Sequence, residues 1–171
     1  MRRDQCADSV KDETSMKPPA SFHQLMRSIT APIAGLPLDQ ALQERLNRDM
    51  GAASQQYREV FAACRQGVAE GWLCGREGGG IRYGRALAAD DELAGFSVDV
   101  VEMPSLAGPH HAHPHGEIDL IMPLDEAARF DGHPAGWLVY GPGSAHRPTV
   151  SGGRALVLYL LPGGAIEFTR A

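Results

Sequence analysis

Four of the chain's seven histidines sit in one run, Gly108-Pro109-His110-His111-Ala112-His113-Pro114-His115-Gly116-Glu117, and a carboxylate closes it. A second segment, Gly136-Trp137-Leu138-Val139-Tyr140-Gly141-Pro142-Gly143-Ser144-Ala145-His146, adds an imidazole behind a Pro-Gly turn. Three imidazoles and a carboxylate brought together by two strands make a site for one divalent transition metal. Imidazole suits Zn, Cu, Fe and Ni, and carboxylate adds affinity for harder ions such as Mn. In a strand, residues two apart point the same way, so His111 and His113 present both rings to one face. Glu117 follows a Pro114-His115-Gly116 turn, which lets the chain double back and bring its carboxylate beside them. A shifted set, His113, His115 and Glu117, would also share one face of a straight strand. Pro114 and Gly116 argue against that strand's being continuous, which favours His111 and His113. His110 and His115 are then rim residues, and His133 is a turn residue.

The next segment reads Glu117-Ile118-Asp119-Leu120-Ile121-Met122. If Glu117 points inward, alternation sends Asp119 inward too. Burial raises a carboxyl pKa, so Asp119, like Glu117, is a candidate acid or base beside a metal. The plainer expectation is that Asp119 pairs with an arginine, with Arg82 and Arg85 as candidates. Those two could equally hold an anionic substrate, because a guanidinium fork fits a carboxylate bidentately, or could line a solvated face. Tyr140, with Tyr83, Trp137 and Tyr159, could line an aromatic pocket, although strand aromatics are usually core.

The elements that must position these groups come in two textures. Residues 1–20 are polar and end in Lys17-Pro18-Pro19, which reads as a mobile tail. Residues 21–73 read as helical. A short helix over 21–30 stops at Ala31-Pro32. A second begins at an Asp39 cap and repeats Leu42, Leu46 and Met50. A third begins at Ser54, carries Tyr57, Phe61, Cys64 and Val68, and closes at Gly71. This segment is expected to cover a sheet edge, a subunit interface or one mouth of the pocket. From residue 74 to 171, after the Gly78-Gly79-Gly80 break, short runs rich in Val, Ile, Leu and Tyr alternate with Gly, Pro and Asp turns. These are Ile81–Leu87, Phe96–Met103, Glu117–Met122, Trp137–Tyr140, His146–Val150, Ala155–Leu161 and Ile166–Thr169. The pattern predicts an antiparallel sandwich or barrel. Ala155–Leu161 is apolar on both faces, so both must be covered, a second subunit being one candidate cover.

Composition narrows the function. A net charge of -5 argues against nucleic acid, whose readers carry a basic face. No apolar run reaches the roughly 20 residues that span a bilayer. Met1-Arg2-Arg3 is followed by no apolar h-region, so a cytoplasmic protein is expected. Cys6, Cys64 and Cys74 are too few and too scattered for a disulfide framework.

The two His-bearing segments resemble the paired motifs of the cupin superfamily. Its first motif, His-x-His-x(3,4)-Glu, is matched by His111, His113 and Glu117; its second carries Gly, a Pro-Gly turn and His, here Gly136, Pro142, Gly143 and His146. The resemblance implies an antiparallel double-stranded β-helix enclosing a metal held by His111, His113, Glu117 and His146. The first motif usually continues to a Gly where Leu124 stands, and the second often ends in Asn where Val150 stands. Further phrases, Gly-Glu-Ile-Asp-Leu-Ile-Met-Pro, Phe130-Asp131-Gly132, Gly-Ser-Ala-His-Arg-Pro-Thr-Val and Leu-Tyr-Leu-Leu-Pro-Gly-Gly-Ala-Ile-Glu-Phe, are similar to the small bacterial family that includes 4-hydroxylaminobenzoate lyase. That resemblance implies a small anionic aromatic substrate, no redox cofactor and a homodimer. The ion it implies is one divalent transition metal, with Zn, Fe, Mn and Ni all open. Two other classes remain: a metal-dependent dioxygenase or isomerase on another small acid, and a non-catalytic metal or ligand sensor.

Overall fold

The structure is a computed structural model and describes residues 16–170. The expected tail falls mostly on residues 1–15, outside the described residues, as does Cys6. Three helices come first: α1 (Ala20–Thr30), α2 (Gln40–Met50) and α3 (Gln55–Glu70). The Asp39 side chain accepts the N–H of Leu42 at 2.9 Å, and Ser54 accepts that of Tyr57 at 3.1 Å, so both expected caps form. Gly71 ends α3 with φ 86°, a left-handed turn suited to glycine. The buried stripe of α3 is Tyr57, Val60, Cys64 and Gly67, with Phe61 and Val68 only flanking it. Gly67 belongs there because a Cβ would meet the Leu73 side chain at 2.6 Å.

Eleven strands follow: β1 (Arg76–Gly78), β2 (Ile81–Leu87), β3 (Phe96–Met103), β4 (His111–His113), β5 (Glu117–Pro123), β6 (Arg129–Phe130), β7 (Gly136–Tyr140), β8 (Ser144–His146), β9 (Val150–Ser151), β10 (Ala155–Pro162) and β11 (Glu167–Phe168). All pair antiparallel. Six form a large sheet in the order β1-β2-β3-β10-β5-β7; β11-β4-β8 and β6-β9 form two small ones. This is the mainly β, antiparallel architecture expected. The expected strand over 146–150 is divided, because Arg147-Pro148 separates β8 from β9 and Pro148 has no N–H for a ladder. The glycine run read as a break is instead the turn of a β1–β2 hairpin.

Alternation splits the large sheet into two faces. On one, Val98, Val100, Ile118, Leu120, Leu156, Leu158 and Leu160 pack against Phe22, Met26, Ile29, Leu42, Leu46, Val60 and Cys64 of the helices. On the other, Ile121, Leu138, Val157, Tyr159 and Leu161 pack with Phe130 and Val150 from the small sheets. The helices of the same chain therefore cover the outer face of β10. That corrects the expectation that a second subunit might be needed there. Burying each Leu or Val removes it from water at a gain of about 1.5–3 kcal/mol, so the helices are held mainly by this shared core.

Helix α2 also covers the free edge of β7. Asn47 Nδ2 donates to the Trp137 carbonyl at 2.8 Å, and the Trp137 N–H donates to Asn47 Oδ1 at 2.8 Å. The Val139 N–H donates to Gln43 Oε1 at 2.9 Å. Two amide side chains thus stand in for the next strand along this edge. Among the described residues no helix is long and apolar enough to cross a membrane.

Candidate metal centre

The site forms where β4 and β8 of a small sheet face β5 of the large one. Strand β4 pairs with β8 so that His111 lies opposite His146, and His113 opposite Ser144. The His113 carbonyl accepts two turn N–H groups, from Gly116 at 3.2 Å and Gly143 at 2.8 Å, which ties the two His-bearing segments together. Gly116 has φ 89°, and a Cβ there would meet both the Leu38 side chain and the Tyr140 carbonyl at 2.7 Å. Only glycine makes that turn, and it lets the chain reverse so that Glu117 faces the histidines. Leu38, just before α2, packs close to this turn.

One donor atom from each of His111, His113, Glu117 and His146 lies within 4.8 Å of the others. Glu117 Oε2 is 2.9 Å from His113 Nε2 and 3.5 Å from His146 Nε2, while Oε1 is 3.8 Å from His111 Nε2. The Nε2 atoms of His146 and His111 face each other at 3.0 Å. His113 and Glu117 are fully buried. Even so, His113 Nε2 and both Glu117 oxygens lack an aligned hydrogen-bond partner. Buried polar atoms are nearly always satisfied, so orphaned ones converging on a single point fit a bound cation. The three-imidazole, one-carboxylate donor set suits a divalent transition metal.

Two of the three imidazoles, those of His113 and His146, are held in the tautomer a metal needs. Ser144 Oγ donates to the Gly141 carbonyl at 2.6 Å, so at 2.9 Å from His113 Nδ1 it accepts that N–H and leaves Nε2 its lone pair. His146 Nδ1 lies 2.6 Å from Asp131 Oδ2 and donates to it. Asp131 also accepts the Tyr140 hydroxyl at 2.5 Å and the Thr149 N–H at 2.8 Å. It does so from φ 48°, a left-handed conformation that Asp tolerates better than most residues. A carboxylate behind a liganding histidine fixes ring orientation and raises basicity.

Charge is concentrated here. Burial pushes the Glu117 carboxyl up, but the imidazoles of His111, His113 and His146 outweigh it and hold it well below the usual range. Burial favours neutral His146, yet Asp131 and Glu117 outweigh it and raise the ring to about 9. Asp131 is lowered although burial opposes, because His146, Tyr140 and the Thr149 N–H donate to it. Asp119 goes the other way: burial, then the charges of Glu117 and Asp131, push it well above the ordinary carboxylate value. Neither Asp119 oxygen has a hydrogen-bond partner.

The remaining sequence expectations divide. His115 is exposed and outside the cluster, so the shifted set is not the one brought together. The expected Asp119–arginine pair is not formed. Arg82 lies opposite Glu102, which lies opposite Leu156, on the helix-covered face. Its guanidinium is 3.7 Å from Glu102, and one-residue alternation sends it away from the metal side, which corrects its place among substrate contacts. Arg85 lies on the inner row, Arg85–Asp99–Tyr159–Asp119. Its Nε donates to Asp99 at 2.9 Å and its Nη2 to the Gly164 carbonyl at 3.0 Å. Tyr140 stacks near His146 at 4.4 Å with its hydroxyl committed to Asp131. His110 sits at the rim against Thr169, and His133 is an exposed turn residue. Val150, at the motif departure, is buried in the inner core. Asp131 and Ser144 escaped the sequence reading; an acid before Gly132 looks like any turn residue, and only its return to His146 across the fold distinguishes it.

Residues 24–168 match the model of the 4-hydroxylaminobenzoate lyase (PnbB) family. A 4-hydroxylaminobenzoate lyase of Nocardioides sp. (strain LMS-CY) is 37% identical over 137 residues, covering 74% of this chain and 80% of that protein. One of Pseudomonas putida is 34% identical over 140 residues, covering 72% and 80%. Among solved structures, the DMSP lyase DddQ from Ruegeria pomeroyi DSS-3 covers 88% of this chain and 96% of its own, with a TM-score of 0.40 and 19% identity. With the matched span enclosing every residue of the metal centre, the chain belongs to the 4-hydroxylaminobenzoate lyase family.

Proposed function

We propose that this protein is a metal-dependent lyase that converts 4-hydroxylaminobenzoate and water to 3,4-dihydroxybenzoate and ammonia. The balance is internal: the N–O and C4–N bonds break, ring C–O bonds form at C3 (with loss of its hydrogen) and at C4, nitrogen leaves as ammonia with the two electrons the ring gives up, and one net water supplies the remaining oxygen and hydrogens. No outside oxidant or reductant is required. A divalent transition ion, Zn, Fe, Mn or Ni, held by His111, His113, Glu117 and His146, would supply Lewis acidity toward oxygen and a lowered pKa for bound water.

The chain's own groups divide the rest of the work. Asp119 carries the reading: it is fully buried, lacks a partner for either oxygen, and shares the inner face with Glu117 two residues away. Burial and the nearby carboxylates favour its neutral form, and a protonated carboxyl so placed can deliver its proton to the departing oxygen. Glu117, kept ionised by its imidazoles, balances the cation and can accept a proton in return. Arg85 is the guanidinium on the inner row and supplies positive charge for the benzoate carboxylate. The Tyr140 ring walls the site beside His113 and His146. Leu138, Val157 and Leu161 on the inner face keep it poor in water.

The test is ammonia release from 4-hydroxylaminobenzoate by metal-replete protein, with 3,4-dihydroxybenzoate and oxygen uptake followed together. Equimolar ammonia and catechol acid with no oxygen consumed is expected. No ammonia, or oxygen consumed at each turnover, would overturn the reading.

A further inference from the structure

We infer that Phe168 is the stacking platform for the substrate's aromatic ring at the mouth of the metal centre, an inference that rests on the lyase reading and specifies how its substrate is recognised. Phe168 is the most exposed large hydrophobic residue among the described residues, at 69%. A single exposed apolar side chain needs no explanation by itself. This one is set apart by register. Strand β11 pairs with β4 so that Phe168 lies opposite His111 and Glu167 opposite Ala112. Directly opposed residues project to the same face of an antiparallel pair, so Phe168 projects on the side of His111, toward the metal centre. The contact bears this out, with ring centroids 6.0 Å apart at 70°. His111 is buried at 4% exposure while its neighbour is open, so Phe168 marks the place where the site meets solvent.

The segment that carries the ring is also held in place. The Thr169 N–H donates to the His110 carbonyl at 3.0 Å, and His110 Nδ1 lies 2.5 Å from Thr169 Oγ1. Upstream, Ile166 packs on the inner core, and the Gly164 carbonyl accepts Arg85 Nη2 at 3.0 Å. One short segment therefore carries an aromatic face beside a metal-binding histidine and anchors the inner row's guanidinium. A benzoate-type ligand needs both an aromatic surface and a cation. An aliphatic acid would gain nothing from the first.

The experiment uses the metal-replete full chain with Phe168→Ala and Phe168→Tyr. Kinetics on 4-hydroxylaminobenzoate are paired with calorimetric binding of benzoate and cyclohexanecarboxylate, and assembly state is followed by sedimentation. In Phe168→Ala, KM should rise about 3- to 10-fold, more than kcat falls, as expected for loss of one aromatic contact. The preference for benzoate over cyclohexanecarboxylate should collapse, and Phe168→Tyr should restore both, with metal content unchanged throughout. An unchanged KM and an unchanged preference in Phe168→Ala, or a wild type that binds neither acid, would overturn the platform. So would a wild-type oligomer that dissociates in the variant, since the ring would then be an interface residue. If the wild type released no ammonia yet preferred benzoate, and lost that preference in Phe168→Ala, the platform would stand and the lyase reading would fall.

Discussion

The two faces of β5 and β10 are built from alternate residues of the same strands, yet they behave as different media. Outward, Ile118, Leu120, Leu156, Leu158 and Leu160 join an apolar core shared mainly with helix side chains. Inward, Glu117, Asp119 and Tyr159 meet imidazoles, carboxylates and the space between the sheets. The outer face gives stability without chemistry. The inner face gives up stability, with orphaned carboxylate oxygens and like charges close together, in an arrangement that could hold a cation. Because a one-residue step changes face, each strand separates the two tasks with no added structure.

Substitutions on each side should show the division. The largest effect belongs to the inner face: Asp119→Asn should lower turnover roughly 10²- to 10⁴-fold, the range for a lost acid–base group, with metal content intact. Steady-state ammonia release alongside elemental analysis checks both parts. On the outer face, Leu158→Ala should cost about 2–5 kcal/mol of stability in denaturant melts, while the folded fraction still binds one metal. Behind the centre, Asp131→Asn suits the left-handed backbone yet loses the charge against His146, so metal affinity should weaken roughly 10- to 100-fold in chelator competition. A smaller loss, about 1–3 kcal/mol, should follow Asn47→Ala, which strands the Trp137 N–H and carbonyl, with turnover preserved in the folded protein.

Titration separates the faces too. His146 is raised to about 9 when folded, against about 6.5 unfolded. Its contribution is fully present below about 6.5 and is lost as pH rises through about 9. Metal-free protein should therefore lose stability between those values, whereas metal-loaded protein, whose His146 holds no competing proton, should vary less. Parallel melts across that range would decide it.

How much of this could be read in advance follows the same line. His146 was legible only through its separate Pro-Gly segment, whereas His111, His113 and Glu117 were legible as a cluster because their spacing is local: alternation places His111 with His113, and a Gly turn returns Glu117. The caps at Asp39 and Ser54 were legible for the same reason. Helix α3 was read from its apolar residues and so missed Gly67, whose burial depends on Leu73 and Trp72 packing over it. The two-sided apolar pattern of β10 required a cover but could not say whose; Phe22 and Leu46 are remote in sequence. Gln43 and Asn47 look like ordinary polar helix positions, and their service to an edge strand exists only in three dimensions. Arg82 and Arg85 looked equivalent in Ile81-Arg82-Tyr83-Gly84-Arg85, yet odd spacing puts them on opposite faces. Asp131 shows the limit most clearly, since its partners His146 and Thr149 reach it through the closed barrel.

The central claim is that the inner face gathers four distant side chains around one ion. Metal equivalents per chain, measured on wild type and on His113→Ala, test it most directly. About one equivalent in the wild type and almost none in a folded His113→Ala, with ammonia release lost in parallel, is the predicted result. Full metal content and full turnover in that variant would contradict the account.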